Sequence, residues 1–155
     1  MITGLDHFSF TVSSLEDGIH FFRDLLGMEV FVPEDLPQDA GYILNPHGKH
    51  VDDILRMTDA SLKECFLKTS DNIILELIEY EYPKGKQIDL TTCNFGVAHI
   101  SFFVDDLHKM YNDLTAEGVV FNNRPQEASG IGRISCYIKG PDGITIELVE
   151  KIGMK

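Results

Sequence analysis

An internal repeat constrains this chain more than any other feature of its sequence. Leu5-Asp-His-Phe-Ser-Phe-Thr-Val12 aligns with Val97-Ala-His-Ile-Ser-Phe-Phe-Val104, which sets His7 on His99, Ser9 on Ser101, Phe10 on Phe102 and Val12 on Val104 at a constant offset of 92 positions. Each segment is followed by an acidic capping signal and an amphipathic stretch that ends in glycine, Ser14–Gly27 in the first copy and Asp105–Gly118 in the second. Ser14 with Asp17 approximates a capping box, and Ile19, Phe22 and Leu26 recur near helical period, as Leu107, Met110, Tyr111 and Leu114 do. Gly27 and Gly118 stand where a left-handed C-cap is expected.

The copies also end alike. Asn72-Ile-Ile-Leu-Glu-Leu-Ile-Glu79 matches Gly143-Ile-Thr-Ile-Glu-Leu-Val-Glu150, which pairs Glu76 with Glu147. Strands are expected at Met28–Val32 and Val119–Asn122 after the helices, and Lys139-Gly-Pro-Asp-Gly143 reads as a hairpin turn. The first copy carries its surplus length in Pro33–Ser61, read as a long loop with one short strand around Tyr42–Leu44. Pro125–Gly132 is the shorter counterpart. Each copy is thus a strand–helix–strand–strand–strand module. A lone module leaves one sheet face bare, so two should pack together. The reading is a single α+β domain over 1–155: module one 1–82, linker 83–93, module two 94–155, paired into a U-shaped, partly open eight-stranded barrel.

Strand alternation identifies the chemistry. His7, Ser9 and Thr11 share one face of the first strand, and Phe8, Phe10 and Val12 the other. His99, Ser101 and Phe103 oppose Ala98, Ile100, Phe102 and Val104 in the repeat. The apolar faces should meet the helices, which leaves the histidine faces to line an interior. Leu75 and Leu77 flank Glu76, and Ile146 and Leu148 flank Glu147. A carboxylate bracketed in this way is costly to bury without a partner. Two imidazoles and two carboxylates at equivalent places in both repeats suit a divalent cation such as Zn, Ni, Co, Mn or Fe, held by His7, Glu76, His99 and Glu147, with coordination left over for substrate oxygens. Tyr137, Phe103 and Ser101 are the candidate substrate contacts. His20 and His108 read as solvated helix residues. His47 and His50 could share a metal only if a helix or tight turn formed, against which Pro46 and Gly48 argue. No phosphate-binding glycine loop, nucleophile elbow or dinucleotide fingerprint is present.

Composition closes other classes. The net charge of −12, with no run of Lys or Arg, opposes nucleic-acid and anionic membrane partners. No apolar run approaches the roughly 20 residues that span a bilayer. Three cysteines without a CxxC pair and an N-terminus without a signal core predict a reducing, cytoplasmic setting.

At these residues the chain resembles the vicinal oxygen chelate superfamily (glyoxalase/bleomycin resistance/dioxygenase). The likeness is carried by Leu5-Asp-His-Phe-Ser-Phe-Thr-Val, Phe21-Phe-Arg-Asp-Leu-Leu-Gly-Met-Glu-Val, Ala98-His-Ile-Ser-Phe-Phe-Val-Asp-Asp-Leu and Gly140-Pro-Asp-Gly-Ile-Thr-Ile-Glu-Leu. It implies paired βαβββ modules around a metal, a small-molecule substrate and a homodimer. In ligand set the chain is similar to glyoxalase I enzymes and methylmalonyl-CoA epimerases. The expectation is therefore a metal-dependent lyase or isomerase that moves a proton beside a chelated carbonyl or vicinal oxygen pair through an enediolate. Glu147 would be the base, and Glu76 could serve on the opposite face. Two alternatives remain. One is an Fe(II) extradiol dioxygenase built on His7, His99 and Glu147. The other is an antibiotic-resistance protein of the same fold, acting by binding or by thiol transfer, for which Arg133 and Lys139 are the nearby cations.

Overall fold

The computed structural model describes residues 1–39, 41–128 and 130–153. The chain divides into two compact units, Met1–Lys86 and Gln87–Lys155.

The first unit holds strands β1 (His7–Thr11), β2 (Glu29–Phe31), β3 (Ser61–Lys68) and β4 (Ile74–Tyr82), in sheet order β1-β4-β3-β2. β1 runs parallel to β4, while β3 is antiparallel to both β4 and β2. The first helix starts as α1 (Leu15–Ile19) and widens into a π-helical turn over His20–Leu25. As the alternation predicts, one sheet face meets this helix. The Phe10 ring stacks on Phe22 at 6.1 Å, and Leu75, Leu77, Cys65 and Leu67 are fully buried. Gly18 lies where a Cβ would come within 3.1 Å of the Leu77 side chain, so the helix crosses its sheet closely.

The second unit repeats the plan. Strands β5 (His99–Phe103), β6 (Gln126–Ala128), β7 (Arg133–Lys139) and β8 (Thr145–Lys151) form a sheet of order β5-β8-β7-β6, with helix α3 (Leu107–Ala116) buried through Leu107 and Leu114. β5 pairs with β8 in parallel, as β1 does with β4. Two four-stranded mixed sheets with few helices make an α+β fold built from βαβββ modules. Among the described residues no helix is long and apolar enough to cross a membrane.

Both helices start as the sequence indicates. Ser14 Oγ accepts from the Asp17 amide at 3.2 Å, and Asp106 caps α3 through the Lys109 amide at 2.8 Å. Both stop at glycines in the left-handed region, Gly27 at φ 76° and Gly118 at φ 85°. The predicted hairpin turn also forms. Pro141–Gly143 is a short 3₁₀ turn, and Lys139 pairs with Thr145 across it.

Several expectations differ from the structure. Pro33–Ser61 contains a helix, α2 (Lys49–Leu55), because Pro46 and Gly48 precede it rather than interrupt it and Gly48 at φ 87° is its N-cap. Tyr42–Leu44 is not a strand. Only Leu44 pairs there, with Glu64 of β3. In module two, Val119–Asn122 makes a single bridge, Phe121 to Ile138, after which the Asn123 side-chain oxygen takes the Tyr137 amide at 3.0 Å. Backbone pairing then resumes as β6, inside the segment expected to be loop. The expected Met28–Val32 strand shortens to β2.

One contact that ties helix to sheet is duplicated. The amide of Leu15, the first residue of α1, donates to Glu79 Oε2 at 2.9 Å, and that of Leu107, the first residue of α3, donates to Glu150 Oε2 at 2.8 Å. A carboxylate at a helix N-terminus satisfies an otherwise orphaned amide and opposes the positive end of the helix dipole. Glu150→Ala and Glu79→Ala should each lower stability by about 1–2 kcal/mol in urea unfolding monitored by circular dichroism. Losses under about 0.3 kcal/mol would show that these caps are incidental.

Candidate metal centre

The face of each sheet turned away from its helix carries the predicted ligands. In module one, Ser9 lies opposite Glu76 and His7 opposite Ile74, so His7, Ser9, Thr11 and Glu76 share that face. His7 Nε2 stands 3.5 Å from Glu76 Oε2. The other ring nitrogen, Nδ1, is 2.6 Å from Asp6 Oδ2. A carboxylate on Nδ1 holds its proton there and turns the Nε2 lone pair outward, the arrangement common behind metal-ligating histidines.

Module two is built the same way. Ser101 lies opposite Glu147, and His99 Nε2 stands 3.7 Å from Glu147 Oε2. Two donors on one cation at about 2.1 Å each lie about 3.0–3.4 Å apart. Both pairs therefore need only a small side-chain adjustment to share an ion, and their donor set suits a divalent transition metal. Each module brings its own His and Glu together. Among the described residues no group of three or more His, Cys, Asp or Glu side chains stands close enough to hold a metal ion.

The predicted substrate contacts lie on the same face. Tyr137, directly opposite Glu147, sets its ring edge-on to His99 at 5.5 Å. Partial burial comes first in raising its phenol above its ordinary pKa, and the neighbouring Glu147 carboxylate, to which the hydroxyl donates, adds to the shift. Tyr137 therefore keeps its proton and can orient Glu147. Ser101 and Phe103 are exposed beside it. Two of the remaining histidines have local partners. His20 bonds Asp24 at 2.9 Å, and His47 bonds the Asn45 carbonyl at 2.8 Å.

Sequence reasoning missed Glu64. It lies opposite Ile78 on β4, and Phe66, two residues on, lies opposite Glu76, so Glu64 joins the His7–Glu76 face. Desolvation first, then the charge on Glu76, pushes its carboxyl up to about 7, with His7 opposing. Alternation along β3 groups Glu64 with Leu62 and Phe66 but does not say which sheet face they join; the continuous β3–β4 register from Leu62 to Lys68 decides it.

The pH consequence has a definite sign. A carboxyl whose folded pKa exceeds its unfolded value binds more protons in the folded state between the two. Its contribution is therefore complete at low pH and is lost as pH rises from about 4.5 towards 7. Chelator-treated protein should thus lose stability across that window, and Glu64→Gln should flatten the decline. Denaturant midpoints at pH 5 and pH 8 check this, and parallel midpoints for wild type and variant would refute it.

Comparison with known proteins identifies the family and the fold. The profile of the Glyoxalase/Bleomycin resistance protein/Dioxygenase superfamily matches residues 4–148. A lactoylglutathione lyase of Arabidopsis thaliana is 24% identical over 145 residues, which covers 94% of this chain and 43% of that protein, so the chain spans under half the length of the curated relatives it matches. Among solved structures, a glyoxalase family protein from Bacillus cereus superposes with a TM-score of 0.81 at 22% identity, covering 99% of this chain and 97% of the other. A fosfomycin resistance protein from Listeria monocytogenes, complexed with Mn(II) and sulfate, gives 0.61 at 18% identity, covering 99% and 95%. With both modules spanned by the profile and the fold shared end to end, the chain belongs to the glyoxalase/bleomycin resistance protein/dioxygenase superfamily.

Proposed function

We propose that this protein is a divalent-metal-dependent lyase or isomerase of glyoxalase or epimerase type, and that His7, Glu76, His99 and Glu147 are the ligands of its cation. The observation that carries the reading is the duplication. The same imidazole–carboxylate pair, 3.5 Å apart in one module and 3.7 Å in the other, sits on the helix-free face of both sheets. A structural role for a lone His–Glu contact gives no reason for it to recur at the same register. The lactoylglutathione lyase relative and the Mn(II)-bound resistance protein support a divalent cation and small-molecule chemistry.

A bound divalent cation would stabilise negative charge that develops on a substrate's carbonyl or vicinal oxygens. The residues of the chain then divide the remaining work. Glu147 accepts the proton leaving carbon, as the carboxylate with a hydroxyl donor, Tyr137, at its side to fix its direction. Glu76 returns or receives a proton on the opposite face. Asp6 holds the His7 ring. We place the enzyme in a reducing cytoplasmic setting, which suits three free thiols, and as a homodimer.

Elemental analysis of protein purified without chelator tests the ligand set. We expect one transition-metal ion per chain, and its loss in both His7→Ala and His99→Ala. Retention of full metal in either variant would remove that histidine from the site. The hemithioacetal of methylglyoxal and glutathione is the first substrate to offer. Glu147→Gln should keep most of the metal and reduce kcat by about 10²–10⁴-fold. Wild-type turnover in that variant would end its assignment as base.

A further inference from the structure

The second sheet carries a feature that metal binding does not use. Arg133 and Lys151 lie directly opposite each other on antiparallel β7 and β8. Like charges at such a pair repel and destabilise a sheet. Among the described residues neither has a carboxylate partner, a state they share with Arg56, Lys86, Arg124 and Lys139, while the other six described Lys and Arg residues each have one. Both cations instead lie over one exposed ring, with Lys151 Nζ 4.1 Å and the Arg133 guanidinium carbon 5.7 Å from the Phe103 centroid. Phe103 is 62% exposed. At the equivalent positions, module one has Leu62 opposite Tyr80, an apolar pair with no repulsion. The fold does not require cations here.

In a chain of net charge −12, two unpaired cations on one aromatic platform form the local reverse of the prevailing field. They share a face with His99 and Glu147, since Phe103 pairs with Val149 and Ser101 with Glu147. Lys151 stands four positions after Glu147 on β8, a span of about 13 Å.

We propose that Arg133 and Lys151, over Phe103, form a subsite for an oxyanion, a carboxylate or phosphate, carried on the tail of the substrate about 13 Å from the reacting carbon. The substrate class is then a small carbonyl or hydroxy compound joined to an anionic carrier. The carrier's oxyanion relieves the cross-strand repulsion, and its chain lies across Phe103. That the tail belongs to a substrate rests on the enzymatic reading above, but binding of an anion at this place does not.

The test separates the two. The full-length isotope-labelled protein is titrated with inorganic phosphate and, separately, with glutarate at constant ionic strength, and amide shifts are followed by NMR. Saturable shifts at Arg133, Lys151 and Phe103 are expected, and the tighter of the two probes identifies the carrier's anion. Lys151→Glu puts an acid opposite Arg133, so it should raise the Tm by about 1–4 °C while weakening anion binding about tenfold or more. No saturable shift with either anion, or equal affinity in the variant, overturns the subsite. The second arm compares two hemithioacetals of methylglyoxal, one with glutathione, which carries carboxylates, and one with uncharged N-acetylcysteamine. Lys151→Glu should raise KM about tenfold for the first with kcat within about twofold, and leave KM for the second unchanged. An equal change for both overturns the substrate role. If the wild-type protein turns over neither, the enzymatic reading and the substrate role fall together, while the titration alone decides whether the anion site exists.

Discussion

A β-strand sends successive side chains to opposite faces, and each closing strand of this protein uses that alternation for two glutamates three residues apart. Glu76 and Glu147 emerge on the helix-free face beside a histidine, whereas Glu79 and Glu150 emerge on the helix face and take the first amide of α1 or α3. An odd spacing is required, since an even one would set both carboxylates on one face. The same short segment thus anchors the helix and presents the candidate ligand. The position of Glu76 relative to β1 is fixed by the parallel β1–β4 register, and the helix that follows β1 is docked through Glu79. Loss of the cap loosens the element that aligns the histidine strand.

The repeat made much of this legible in advance. His7, Glu76, His99 and Glu147 could be read from alternation because β1, β4, β5 and β8 are regular, and the helix limits could be read from Ser14, Asp106, Gly27 and Gly118 because caps are local chemistry. What stayed hidden depends on long-range register. Glu64 is placed on the site face by the β3–β4 pairing, which sets it opposite Ile78. Arg133 and Lys151 are 18 positions apart in sequence, so no basic cluster shows there, yet they are direct cross-strand partners. The roles of Glu79 and Glu150 were masked because a terminal glutamate on a strand reads as solvated until a helix start is placed over it. The α2 helix failed for a different reason. Pro and Gly break a helix from within but are favourable before it, and a single sequence gives no sign of which side of the boundary they occupy.

Duplication supplies two copies of a scaffold, and the open faces show how they have diverged. Opposite Glu76 on β3 stands Phe66, and opposite Glu147 on β7 stands Tyr137, so a phenol neighbours the candidate ligand carboxylate in the second module and a phenyl ring in the first. Where module one has Glu64, with a carboxyl held near neutrality by burial and by Glu76, module two has Ser135. Where module one has Leu62 and Tyr80, module two has Arg133 and Lys151. What both modules keep is the His–Glu pair and the capping glutamate. They also keep Ser9 and Ser101 opposite those glutamates, and they differ at the β3 and β7 positions around them.

That division assigns separate duties to the two faces. A site needing only a metal could keep both modules identical, because a cation's charge is indifferent to which copy donates. A substrate is asymmetric, with a reacting carbon at one end and a carrier at the other, so recognition must break the equivalence of the repeats. The cross-strand Arg133–Lys151 pair is the clearest such break, because it costs the sheet repulsion that an apolar pair avoids at the equivalent place. On the proposed reading, the second sheet would supply the positions that tell one end of a substrate from the other.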